Sequence, residues 1–172
     1  QSLLPPGTIF NKQANPYNVF TAFKKAYYPN LNINKLKITP KPKKQKLENL
    51  AINMPKIHAS LQRYLVNPII ESWPPGEKAA TKLLHDFCEQ DLLHYKEQRD
   101  FPGLDATSKL SAYLAVGAIS VKQCFLAAVQ ANDFIFPGNN PSIMCWIDEL
   151  IWRDFYRNII FHNPRICKGE NY

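Results

Sequence analysis

The placement of proline constrains this chain more than any other feature. Ten of its fourteen prolines lie at or before Pro75. Proline fixes φ and removes a backbone donor, so a stretch this rich in it supports neither long helices nor interior strands. Residues 1–75 are therefore expected to be mostly irregular. One window escapes: Asn18 to Tyr28 (NVFTAFKKAYY) predicts a short helix with Val19, Phe20 and Phe23 on one side. A brief alternation from Leu3 to Phe10 is the only strand-like pattern. Lys35 to Lys46 holds six Lys and two Pro, which reads as an exposed, self-repelling linker.

Past Pro74-Pro75-Gly76 the periodicity becomes helical. Ala80, Leu83, Leu84, Phe87 and Cys88 recur at helical spacing and predict a helix from about Gly76 to Gln90. Another is expected between Asp91 and Pro102, and a third from Lys109 to Gly117 behind Thr107 and Ser108. Ser120 reads as the N-cap of Val121 to Ala131, with Cys124, Phe125, Ala128 and Val129 on its buried side. Ser142 is expected to cap the longest helix, Ile143 to about His162. The expected class is mainly α from residue 76, preceded by an irregular Pro/Lys-rich connection.

Charge follows the same division. The 172 residues carry a net charge of +7. Residues 1–60 hold ten Lys and a single acid, Glu48, whereas residues 61–172 are slightly acidic. The basicity of the chain therefore does not mark where a nucleic acid would sit. A hydrophobic content of 45% excludes a wholly disordered chain. No stretch has the length and apolarity of a transmembrane helix, and no basic-then-apolar leader opens the chain. Cys88, Cys124, Cys145 and Cys167 make neither CxxC nor a Cys/His ligand cluster. Neither a disulfide framework nor a metal site is expected, and a reducing cytoplasm fits.

Three constellations could carry chemistry. At about 100° per residue, Trp146, Glu149, Trp152, Arg153 and Tyr156 share an arc of about a third of the last helix. Leu150, Ile147, Ile151 and Phe155 lie largely elsewhere. Aromatic rings beside a carboxylate and a guanidinium suit a planar heterocycle: rings stack, Glu accepts from ring N–H groups, and Arg pairs with an anion. Two core tryptophans beside a surface ion pair satisfy the same pattern. Thr107-Ser108-Lys109-Leu110-Ser111, at a helix start, could hold a phosphate or form an ordinary N-cap. Tyr95 and Arg99 share a face of a charged helix end.

YKEQRDFP, ATSKLSAYLAVGAIS and WIDELIWRDFYR, in this order and spacing, resemble the flavin domain of the DNA photolyase and cryptochrome family. LLPPGTIF resembles the end of that family's antenna domain. NPYNVFTAFKKAYY resembles its Y-x-V-F-T-P-F segment, with Ala22 where proline is usual. Bacterial cyclobutane pyrimidine dimer photolyases are the most similar branch. The resemblance implies a central piece of a larger enzyme, with residues 1–75 the antenna-domain tail and linker and residues 76–172 the first part of a helical FAD-binding domain. It implies light-driven repair of UV-damaged DNA by reduced FAD, with a folate or deazaflavin antenna possible in the whole enzyme. Such a piece alone is expected to be inactive. No membrane and no obligate protein partner are implied.

In the resemblance Tyr95, Trp146, Glu149 and Arg153 fall on flavin-pocket positions, and Thr107, Ser108, Lys109, Leu110 and Ser111 on the run that holds the FAD phosphates. Glu149 matches the glutamate that hydrogen-bonds the flipped dimer, and Trp152 the tryptophan that stacks on it. Arg99 matches a DNA-contacting arginine, with Arg153 and Tyr156 also facing DNA. Cys167-Lys168 aligns with a pair near the folate antenna. Lys109 stands where arginine is usual and Ala106 where glycine is common, which puts a bidentate phosphate contact and the local backbone in question. Two other outcomes are compatible with these residues. One is a cryptochrome-type photoreceptor; the other is a non-enzymatic helical DNA-binding remnant.

Overall fold

A computed structural model of the chain describes residues 2–40, 43, 59 and 73–170. The parts of the Lys35–Lys46 stretch at 41, 42 and 44–46 lie outside the described residues. Among the described residues the α-helices with described bounds are α1 (Phe20–Asn30), α2 (Glu77–Gln90), α3 (Tyr95–Gln98), α4 (Ser111–Val116), α5 (Val121–Ala131) and α6 (Pro141–His162). Short 3₁₀ turns sit at Ile33–Lys35, Leu92–His94 and Pro164–Lys168. No strand is present among the described residues, only an isolated bridge between Phe10 and Pro16. The alternation from Leu3 to Phe10 therefore does not form a strand.

Local chemistry sets the helix ends. Gly76 precedes α2 at φ 101°, a conformation that favours glycine. Ser120 and Gln123 form a reciprocal capping box at α5: the Gln123 N–H donates to Ser120 Oγ at 3.2 Å, and the Ser120 N–H to Gln123 Oε1 at 2.9 Å. The cap of α6 is Asn140 rather than Ser142. Asn140 Oδ1 accepts from the N–H groups of Ser142 and Ile143, and Pro141 takes the first helical position. Ser142 lies inside the helix, buried, where its Oγ accepts from the Lys96 N–H at 3.3 Å and ties α3 to α6. α4 starts at Ser111, two residues later than expected, because Lys109 has a left-handed φ of 49°.

α6 is the axis of the fold. Ile143, Ile147, Leu150, Ile151 and Phe155 bury one side of it against α1, α3 and α5. Ala80, Leu84 and Phe87 of α2 and Cys124, Phe125, Ala128 and Val129 of α5 close the core, as their spacing predicts. The front of the chain joins this core: Leu3, Ile9, Phe23 and Tyr27 are buried within it. Val19, expected on the apolar side of α1, is instead exposed just before the helix, and Tyr27 takes its share of that side.

Two buried polar residues of α6 hold that front segment. Asp154 Oδ2 accepts from the Leu3 N–H at 2.7 Å and from the Tyr27 hydroxyl at 2.6 Å. Asn158 Oδ1 accepts from the Gly7 N–H at 2.9 Å. Gly7 has φ 77°, and a β-carbon there would lie 2.4 Å from the Phe161 ring, so only glycine fits without a shift. Burial raises the Asp154 carboxyl above the ordinary carboxylate range, against the Tyr27 and Leu3 hydrogen bonds that lower it. Asp148 adds a third anchor, accepting from Tyr28 Oη at 2.6 Å and from Lys24 Nζ at 2.7 Å.

Candidate functional site

The opposite side of α6 carries the aromatic and charged residues singled out in the sequence. Glu149 Oε1 accepts from Arg99 Nη1 at 2.5 Å, so the carboxylate of α6 and the guanidinium at the end of α3 meet. The Arg99 side chain also reaches Cys145 Sγ at 3.5 Å, lies 3.4 Å from Asp100, and has its guanidinium 5.4 Å from the Tyr95 ring centroid. The Glu149 hydrogen bond holds Arg99 firmly protonated, against the opposing effect of burial. Tyr95 is buried, and burial pushes its hydroxyl up to about 12, so it stays neutral and available as a donor.

Trp152 stands one turn further along. Its ring is half-buried and stacks on Phe20 of α1 with centroids 3.7 Å apart and planes 11° apart. Tyr156, exposed, lies 5.5 Å from it at 25°. Glu149, Trp152 and Tyr156 therefore share an open face, as their spacing predicts.

Trp146 and Arg153 mark the inner edge of this arc. Trp146 is buried against Phe87 at 5.0 Å, so its ring serves the core. Arg153 donates from Nη2 to the Leu114 carbonyl at 3.1 Å, placing a cation near the end of α4 and fastening it to α6. Burial, with Arg157 nearby, lowers its pKa.

The hydroxyl-rich run lies ahead of and at the start of α4. Thr107, Lys109 and Ser111 are exposed, Ser108 is half-buried, and Leu110 is a core residue that offers only backbone to a ligand. Thr107 and Lys109 line a surface cavity of about 360 Å³ together with Arg99, Phe101 and Leu104. Lys109 is paired with Asp105 at 2.5 Å, a solvent-exposed pair that an anion could displace at little cost. Ala106 avoids the left-handed region and buries its methyl, so the replacement of glycine strains nothing here. Of the run, the Thr107 hydroxyl and the Lys109 ammonium reach this cavity, with the Arg99 guanidinium beside them, a donor set that suits a phosphate. Cys167 and Lys168 lie exposed in the final 3₁₀ turn.

Among the described residues no cluster of His, Cys, Asp and Glu could hold a metal, and no helix is long and apolar enough to cross a membrane. The four cysteines are unpaired. Sequence reasoning placed Phe20 on the apolar side of α1 without linking it to Trp152, and it missed Lys24, Asp148, Asp154 and Asn158. For Asp154 and Asn158 a signal existed: they fall at helical spacing among Ile147, Leu150 and Ile151, polar residues on an apolar face.

The described helices thus carry an aromatic–carboxylate–guanidinium face next to a surface cavity reached by Arg99, Thr107 and Lys109. The known proteins that the chain matches are photolyases. The chain is 34% identical over 166 residues to the deoxyribodipyrimidine photo-lyase of Escherichia coli, which covers 96% of the chain and 34% of that protein. It is 35% identical over 163 residues to the Buchnera aphidicola (Acyrthosiphon pisum) enzyme of the same name, covering 95% of the chain and 33% of that protein. The crystal structure of a class III photolyase from Agrobacterium tumefaciens superposes with a TM-score of 0.61 at 28% identity, over 95% of this chain and 34% of that one. No family model matches. The chain is thus homologous to the deoxyribodipyrimidine photolyases along nearly its whole length, and it spans about a third of theirs.

Proposed function

We propose that these residues form the lesion-facing and cofactor-facing part of a light-driven DNA repair enzyme that splits cyclobutane pyrimidine dimers. In this reading residues 76–172 begin the helical FAD-binding domain and residues 1–75 connect it to what precedes it. The observation that carries the reading is the open face of α6, where a half-exposed Trp152 ring sits on the same side as the Glu149–Arg99 pair.

Each residue has a role that its chemistry supports. Trp152 offers its ring to a base turned out of the helix; a damaged pair is cheaper to unstack than an intact one. Glu149 accepts from base N–H groups, since a carboxylate has acceptor capacity beyond the single oxygen used by Arg99. Arg99 and Arg153 supply positive charge on the DNA side, and Tyr156 widens the apolar wall. Thr107, Ser108, Lys109 and Ser111, with the backbone at Leu110, would hold the FAD phosphates. Tyr95 and Trp146 would back the flavin side. Held there in its reduced form, FAD would supply light-driven one-electron chemistry to the dimer, with the electron returned once the ring has opened so that no net oxidation or reduction results. A soluble setting in the cytoplasm, where DNA is accessible, belongs to the same reading.

The test is a titration of the protein expressed from its natural reading frame with two oligonucleotides, one carrying a pyrimidine dimer and one undamaged, at fixed salt. Tighter binding of the dimer-containing strand, with a flavin absorption band in the purified protein, is expected. Equal affinity for both strands with a steep salt dependence contradicts the reading and supports a nonspecific DNA-binding remnant. Dimer-independent flavin photochemistry supports a photoreceptor.

A further inference from the structure

The N-V-F-T segment enters the resemblance as a motif, but no role in the site attaches to it. Among the described residues its Phe20 makes the shortest ring-to-ring contact. The ring lies 3.7 Å from Trp152, nearly parallel to it. It also meets Phe155 edge-on at 5.8 Å, so it fills the corner between the open and buried sides of α6.

We propose that Phe20 is a positioning residue for Trp152. It covers one π-face of the indole and fixes the ring plane, leaving a single orientation in which the rest of the ring can receive a base. This inference rests on the reading of Trp152 as the stacking surface.

Three features of the structure support a fixed backing rather than a chance contact. First, Phe20 and Trp152 are both half-buried, whereas the neighbouring rings Phe23 and Phe155 are fully inside. A pair that served only the core would be buried with them. Second, α1 is locked in its rotation. Tyr27 donates to Asp154, while Tyr28 and Lys24 donate to the two oxygens of Asp148. Carboxylates from two positions of α6 thus grip α1 on successive turns, and Phe20 cannot turn away without breaking them. Third, the Lys24 ammonium lies 5.9 Å from the Phe20 ring centroid and 6.0 Å from that of Tyr28, held there by Asp148. A cation over a ring favours the ring's position and discourages its departure.

The consequence for binding is one of preorganisation. An indole free to rotate about χ1 and χ2 loses that freedom when a base stacks on it, and the lost freedom weakens binding. An indole already held by Phe20 loses little. Residues that precede the helical region would thereby set the affinity of a site built on α6.

The test uses Phe20→Ala, Phe20→Tyr and Trp152→Ala in the protein expressed from its natural reading frame. Two readouts are followed: the indole N–H resonance of Trp152, assigned by its loss in Trp152→Ala, and the affinities for dimer-containing and undamaged oligonucleotides. Phe20→Ala is expected to shift and broaden the Trp152 resonance while those of Trp73 and Trp146 hold, which also reports that the fold is intact. Its affinity for the dimer should fall roughly three- to tenfold, a part of the stacking energy of a base on an aromatic platform. Undamaged DNA should be unaffected, and Phe20→Tyr should restore both readouts. If Phe20→Ala leaves dimer affinity at the wild-type value while Trp152→Ala lowers it, the positioning role is wrong and the stacking role stands. If Phe20→Ala binds the dimer more tightly, Phe20 occupies the base's own place and the inference is overturned. If Trp152→Ala itself does not lower dimer affinity, the stacking surface is misassigned and the positioning role falls with it.

Discussion

The two sides of α6 use similar residue types for opposite ends. On the inner side, Asp154 is buried and accepts from Leu3 and Tyr27, while Asn158 accepts from Gly7. On the outer side, Glu149 meets Arg99 with both side chains about a third exposed. A carboxylate taken out of water must be satisfied by donors fixed in place, because an unmet buried group is costly. A carboxylate left at the surface can exchange its partner for a ligand. The comparison teaches that α6 is both the strap that fastens the front of the chain and the platform of the candidate site. Removing a group from the inner side should cost stability, and removing one from the outer side should cost binding.

The largest effect is expected at the inner carboxylate. Asp154→Ala strands the Leu3 N–H and the Tyr27 hydroxyl, and should lower unfolding free energy by about 3 kcal/mol in urea melts. A loss below about 0.5 kcal/mol would erase the distinction between the two sides. Asp154→Asn keeps an acceptor and sharpens the point through pH. The native carboxyl titrates above its unfolded value, so its stabilising contribution is full below the ordinary carboxylate range and is lost as pH rises through the raised native value. Thermal melts followed from the ordinary carboxylate range upward in pH should show that part of the decline in the wild type and not in Asp154→Asn.

Gly7→Ala should cost about 1–2 kcal/mol, because an L-residue at φ 77° is strained and the new methyl meets Phe161. Ser120→Ala, which removes half of a capping box remote from both sides, should cost about 1 kcal/mol and serves as a scale for ordinary local losses. The smallest stability effect belongs to the outer side. Glu149→Gln should stay within about 0.5 kcal/mol of wild type, since a partly exposed ion pair contributes little.

The helices were legible where one face is apolar and the ends carry distinctive residues. α2 and α5 follow the 3.6-residue spacing, and Ser120 with Gln123 announces a cap. Asn140 and Ser142 are both good caps, two residues apart; Pro141 between them favours the first helical position, which places the cap at Asn140. The Leu3–Phe10 alternation misleads because the donors of Leu3 and Gly7 go to side chains of α6 and not to a neighbouring strand. In the site, the shared face of Glu149, Trp152 and Tyr156 follows from periodicity alone. Arg99 on Glu149 and Phe20 on Trp152 join residues far apart in sequence, and helical spacing carries no information about which distant element will dock.

The most direct test of the account is the ratio of dimer-containing to undamaged DNA affinity, measured at one salt concentration for wild type, Trp152→Ala and Asp154→Asn. Trp152→Ala should lower the ratio by at least about fivefold, the lower end of base–aromatic stacking, while Asp154→Asn leaves it unchanged. Equal losses on both oligonucleotides in Trp152→Ala, or a lowered ratio in Asp154→Asn, would contradict the division of α6 into a fastening side and a binding side.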